Sequence, residues 1–166
     1  MAPAMAAPLI DPEHAALIEG LVSVNVGSRS REHVPSAVRA LAARLSPDRR
    51  RCTVFVARSQ GEALLADIRA TGAIAVVLSQ PSTHLTLQVK GVDAVEVPLA
   101  PGDREAIARY ADGMAADLGR IGWSEAFARA LVGADPADVV AVAFTITAAF
   151  AQTPGPRAGE KLQARA

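Results

Sequence analysis

The twenty residues from Gly72 to Gly91, GAIAVVLSQPSTHLTLQVKG, constrain this chain more than any other stretch. Ala73 to Leu78 is an unbroken apolar run, and Leu85-Thr86-Leu87-Gln88-Val89-Lys90 alternates apolar and polar with period two. Both read as strands. The polar elbow between them, Ser79-Gln80-Pro81-Ser82-Thr83-His84, is too short for a crossover, so the two strands run antiparallel. Hydroxyls, an amide and a histidine crowd together there between two strands, which makes the elbow a candidate ligand site without naming the ligand.

At 166 residues the chain is long enough to bury one core without staples. Its 51% apolar content rests largely on alanine and only 4% is aromatic, so the core is built from Val, Leu, Ile and Ala. Seventeen basic residues balance seventeen acidic ones. No global field therefore recruits nucleic acid or an anionic membrane. The lone Cys52 excludes an intramolecular disulfide and reads as a buried structural thiol. No apolar run reaches the ~18 residues of a membrane span, and the N-terminus lacks the pattern of a signal peptide. These features predict a soluble, cytoplasmic protein.

Residues 1–10 read as a flexible tail. A short helix follows, with Asp11 as N-cap, Pro12 at its first position and Leu17, Ile18 and Leu21 on one face. Val22-Ser23-Val24-Asn25-Val26 alternates as a half-buried strand. Propensity favours a helix for Val34 to Leu45, which satisfies helical spacing and is rich in alanine, while the Ser46-Pro47-Asp48 turn and the β-branched segment after Arg51 make a hairpin the alternative. Ser59-Gln60-Gly61-Glu62 has the form of a capping box, opening a helix that buries Leu64, Leu65 and Ile68 and stops at Gly72. Gly91 interrupts the strand alternation as a bulge or tight bend does. Ile107, Tyr110, Ala111, Met114 and Leu118 mark an amphipathic helix, and Trp123, Phe127, Ala130 and Leu131 a second one behind a Ser124 cap. Val140 to Phe150 alternates bulky with small residues as a last strand, and residues 154–166 read as a flexible tail. The order β, β, β, α, β, β, α, α, β with short connections favours an α+β barrel over a doubly wound sheet.

Most catalytic signatures are missing: there is no GxGxxG after a strand, no P-loop, no HExxH and no CxxC, and His14, His33 and His84 lack metal-ligand spacing. His84 is either a half-exposed elbow residue or a donor to a polar cofactor edge. Ser59 is explained by its capping box, although a helix start also suits a phosphate. Arg39 and Arg44, in an otherwise apolar segment, need either an exposed face or an anionic partner.

The run PSAVRALAARLSPDRRRCTVFVARSQGEALLADIRATGAIAVVLSQPSTHLTLQVKGVDAVEVPL, with the ending FAQTPGPRAG, resembles the FMN-binding split-barrel proteins of the pyridoxamine 5'-phosphate oxidase type. The likeness spans about residues 20 to 155 and is strongest from Pro35 to Leu99. It implies a six-stranded antiparallel split β-barrel with peripheral helices over residues 11–153, a homodimer, and FMN at the subunit interface. It also implies that Val34 to Leu45 is strand. By position, Arg39 and Arg44 match the family's phosphate-binding basic residues, main-chain groups of Val56 and Ala57 with Ser59 and Gln60 line the same end, and His84 and Thr86 approach the ribityl chain or flavin ring.

The chain departs from the oxidase pattern at Gln60-Gly61, which replaces basic residues, at Leu85, and in a C-terminus without the oxidase's basic and aromatic motif. The expectation is thus an FMN-dependent oxidoreductase acting on a substrate other than pyridoxamine phosphate. The alternatives are a non-catalytic flavin- or haem-binding sensor or storage protein, and a ligand-free dimeric interaction domain.

Overall fold

The computed structural model describes residues 7–20 and 22–164. Its elements run α1 (Pro12–Ile18), β1 (Ser23–Arg29), β2 (Pro35–Arg39), β3 (Ala42–Leu45), β4 (Arg51–Ala57), α2 (Glu62–Thr71), β5 (Ile74–Ser79), β6 (Thr86–Gly91), β7 (Val95–Val97), α3 (Asp103–Arg120), α4 (Glu125–Val132), a 3-10 turn (Pro136–Asp138), β8 (Val139–Thr145) and β9 (Ala148–Ala151). The strands form two antiparallel sheets, one of five in the order β2-β1-β5-β6-β9 and one of four in the order β3-β4-β8-β7. The α+β class and the antiparallel pairing agree with the sequence reading. The count does not: the described residues hold nine strands where six were expected.

Two differences account for most of the excess. Val34 to Leu45 is strand, but the chain passes from one sheet to the other at the buried Ala40-Leu41, leaving β2 and β3 on different sheets. The segment read as one last strand likewise divides at Ile146-Thr147 into β8 and β9. Sheet pairing overrides alanine's helix preference in β3, where Ala42 to Leu45 pairs with Phe55 to Cys52 of β4. Ala141 and Ala143, small residues of the alternation from Val140 to Phe150, are buried inside the four-stranded sheet.

Alternation dictates which residues enter the core. In β5 and β6, Ile74, Val76, Leu78, Leu87 and Val89 point inward, with Val76 opposite Val89 and Leu78 opposite Leu87. β1 adds Val24 and Val26, β4 adds Val54 to Val56, and β8 adds Val142 and Phe144. Gly91 lies where the end of β6 meets β8: a Cβ there would sit 2.5 Å from the Phe144 ring and 2.6 Å from the Thr145 carbonyl oxygen. Gly72 ends α2 in the left-handed region (φ 66°), as expected of a helix stop.

Helix faces needed correction in two places. Leu64, Leu65 and Ile68 are buried as predicted, but α2 starts at Glu62 behind Gly61, which supplies no side-chain cap. In α4 the Ser124 cap is present, accepting from the Phe127 amide at 3.2 Å, yet the buried face is Ala128 and Val132, while Trp123 and Phe127 stack on each other 51% and 42% exposed. Asp11 caps α1 as expected, accepting from the His14 amide at 2.8 Å, and Leu21 lies outside the described residues. Within the stretches read as tails, Ile10 is completely buried. Residues 159–162 lie along β9, where the Ala151 amide donates to Glu160 and the Leu162 amide to Ala149. That pairing covers a sheet edge.

Candidate functional site

The elbow between β5 and β6 is organised by a carboxylate that local sequence does not reveal. Asp117 of α3 is completely buried and accepts from the Ser82 amide at 3.0 Å, the Ser82 hydroxyl at 2.6 Å and the Gln80 amide nitrogen at 3.4 Å. Much of the polar character that suggested a ligand site is thus spent on docking the elbow against α3. His84 is exposed, in the left-handed region (φ 61°), and its ring makes no hydrogen bond among the described residues. Thr86 is half-buried; its hydroxyl lies 2.8 Å from the Ser79 hydroxyl and donates to the His84 carbonyl.

The outward face of the five-stranded sheet collects other predicted residues. Arg39 stands opposite Asn25, Ser23 opposite Ser79, and Ser79 opposite Thr86, so the end of this sheet presents a file of polar side chains. Arg39 Nη1 donates to the Ser23 hydroxyl at 2.5 Å. The Arg39 side chain is half-buried and has no carboxylate within ion-pair distance among the described residues. Gly27, Ala37, Ala75, Val77 and Ala148 are the small side chains of the rest of this face, which also carries Gln88 and Phe150, and the Lys90 ammonium lies 5.2 Å from the centre of the Phe150 ring.

Arg44 is placed elsewhere. It is paired with Thr53 in the β3–β4 ladder and bonds Asp103 at the start of α3 through Nε at 2.6 Å and Nη2 at 3.4 Å. Asp103 is 2% exposed and also takes the Ala100 amide at 2.7 Å. Val56, Ala57, Ser59 and Gln60 gather at the far end of β4, four residues beyond Thr53 and therefore about 13 Å along the strand. There the Ser59 amide and hydroxyl donate to Asp138, while the Ala57 carbonyl accepts from Gln60 and Gly61. Ser59 therefore serves neither as a helix cap nor as an open phosphate donor in this arrangement.

A flavin phosphate needs donors without an anion already on them. Arg39 fits that need. Arg44 carries Asp103, and Ser59 carries Asp138, whose carboxylate would repel a phosphate. The sequence reading missed Asp103, Asp117 and Asp138 as partners. Each lies in a helix or turn at least 35 residues from the group it binds, so no local spacing marks it. Among the described residues no group of His, Cys, Asp and Glu is arranged to hold a metal ion, and no helix is long and apolar enough to cross a membrane.

No protein-family model matches the sequence, and no curated protein matches it. Solved structures do match in three dimensions. HupZ of Group A Streptococcus is 17% identical, with a TM-score of 0.55 over 90% of this chain and 99% of that one. An F420 reductase is 18% identical, with a TM-score of 0.54 over 84% of this chain and 98% of that one. A candidate pyridoxamine 5'-phosphate oxidase from Lactobacillus delbrueckii is 13% identical, with a TM-score of 0.52 over 86% and 93%. At these identities what is shared is the fold. The chain shares with these proteins its α+β fold of two antiparallel sheets with helices packed on them.

Proposed function

We propose that this protein is a flavin-binding oxidoreductase that holds FMN against the outward face of its five-stranded sheet, in a groove completed by a second copy of the chain. The observation that carries this reading is Arg39, a half-buried guanidinium on that face with a serine but no carboxylate beside it. A guanidinium in such a place is suited to a phosphate. Arg39 would hold the phosphate, and the hydroxyls of Ser79 and Thr86 would meet the ribityl chain. His84, exposed at the rim, would face the ring. The small residues Gly27, Ala75 and Ala148 give a flat ring and a second backbone room to approach. The bound flavin would supply the electron transfer, and the protein would orient it and tune its surroundings.

The absorbance spectrum of the purified protein tests the reading first, since flavin bands and a haem Soret band are easily told apart. Fluorescence titration with FMN then separates the arginines. Arg39→Ala should weaken FMN by about tenfold or more, because a charge-assisted bond contributes roughly 1.5 to 3 kcal/mol. Arg44→Ala should weaken it less, since Asp103 already neutralises that side chain. Equal FMN affinity in wild type and Arg39→Ala would overturn the assignment. Bleaching of the flavin by NAD(P)H distinguishes an oxidoreductase from a carrier, and light scattering with and without FMN reports the dimer.

A further inference from the structure

A cavity of about 690 Å³ lies between the end of α1, β3 and the start of α3, and none of Arg39, Ser79 and Thr86 lines it. The Arg44–Asp103 pair on its wall is internally compensated. Two charges remain. Arg109 of α3 is exposed and makes no hydrogen bond or ion pair among the described residues. Glu19, beyond the end of α1, is exposed and uses one oxygen to accept the Leu45 amide at 3.1 Å, leaving the other free. Because α1 and α3 each pack against β3, this cation and this anion stand on different walls. Ile18, Ala42 and Ala106 make the intervening surface apolar, and Tyr110, 7% exposed, lines the same cavity with its buried hydroxyl turned toward Val24 and Arg39.

We infer that this cavity binds a small zwitterion of the α-amino acid type, with its carboxylate on Arg109, its ammonium on Glu19 and its side chain against the apolar wall. A phosphate dianion is disfavoured, because the one uncompensated cation, Arg109, shares the cavity with the uncompensated carboxylate of Glu19. The site is independent of the flavin and does not rest on its presence.

Isothermal titration of the full chain with glycine and with L-leucine tests the inference. The comparison probes are 4-methylpentanoate, which lacks the ammonium of leucine, 3-methylbutylamine, which lacks the carboxylate, and inorganic phosphate. Leucine should bind, each single-charge analogue should bind at least tenfold more weakly, and phosphate should not displace it. Arg109→Ala and Glu19→Gln should each weaken leucine about tenfold with the melting temperature unchanged, since both side chains are exposed and glutamine keeps an acceptor for the Leu45 amide. Absence of binding by both amino acids, analogues that bind as tightly as leucine, displacement by phosphate, or wild-type affinity in either variant would each overturn it.

Discussion

Removing the buried carboxylate under the elbow should show whether that loop is a dock for α3 or a free-standing ligand loop. Asp117 makes four polar contacts of unequal worth. The Ser82 hydroxyl at 2.6 Å and amide at 3.0 Å are within normal bonding range, whereas Gln80 at 3.4 Å is long and Arg120, 3.6 Å away and 62% exposed, contributes little. A hydrogen bond to a charged acceptor contributes roughly 1.5 to 3 kcal/mol, so two of them set the loss for Asp117→Ala at about 4 kcal/mol. Ser82→Ala deletes the hydroxyl bond alone and should cost about 2 kcal/mol. Once Asp117 is gone, removing the hydroxyl should matter little, so the double variant should sit close to Asp117→Ala, with a coupling of about 2 kcal/mol. Urea unfolding measures all three through the midpoint, provided the slope is unchanged. If Ser82→Ala lies within about 0.5 kcal/mol of wild type, or if the two losses simply add, the hydroxyl is not bonded to Asp117 in solution and the docking argument fails.

Other expectations follow from particular positions. Gly91→Ala must place a methyl against Phe144 and the Thr145 carbonyl and should cost about 2 kcal/mol, while Gly119→Ala, with open space around its Cβ in a helix, should stabilise by about 0.5 to 1 kcal/mol; urea midpoints compare the two. Cys52 is completely buried, and that burial pushes its thiol up to about 12, so thiol reagents should leave it unmodified at pH 8 until denaturant opens the fold. Burial raises Asp93, but the hydroxyl and amide of Thr145 outweigh it and hold the carboxyl below its ordinary value of 3.8. A folded-state value below the unfolded one gives stability that is present above pH 3.8 and lost as pH falls further. Asp93→Asn should therefore flatten the acid limb of a melting-temperature profile below about pH 4, and an unchanged limb would contradict the bond pair.

The parts of the fold that could be read in the sequence are those whose signal is local. Gly72 and the alternation from Leu85 to Lys90 identify a helix stop and a strand because the backbone region and the side-chain period are properties of adjacent residues. Val34 to Leu45 resisted that logic. Alanine's intrinsic preference pointed to a helix, while its true state depends on pairing with Asn25 to Arg29 in one sheet and Cys52 to Phe55 in the other. Ser59 failed for a related reason. The Ser-x-x-Glu spacing was present, but a carboxylate 79 positions away takes the hydroxyl, and Gly61 opens the helix instead.

The same asymmetry separates the two arginines on which the cofactor reading rests. Arg39 and Arg44 are chemically identical and five residues apart, and the sequence offers no reason to rank them. What distinguishes them is a counter-ion. Asp103, 59 residues from Arg44, neutralises one guanidinium, and among the described residues nothing acidic reaches the other. An anion arriving at Arg44 has to compete with a carboxylate that is 2% exposed and anchored to the Ala100 amide. At Arg39 it meets only hydroxyls, those of Ser23 and Tyr110. Charge-assisted bonds are about twice as strong as neutral ones, so on the proposed flavin reading this difference in occupancy would direct the phosphate to Arg39 rather than to Arg44. On that reading Gly72 to Gly91 would contribute through Ser79, His84 and Thr86 at its two strand ends, while the middle of the elbow is held by Asp117.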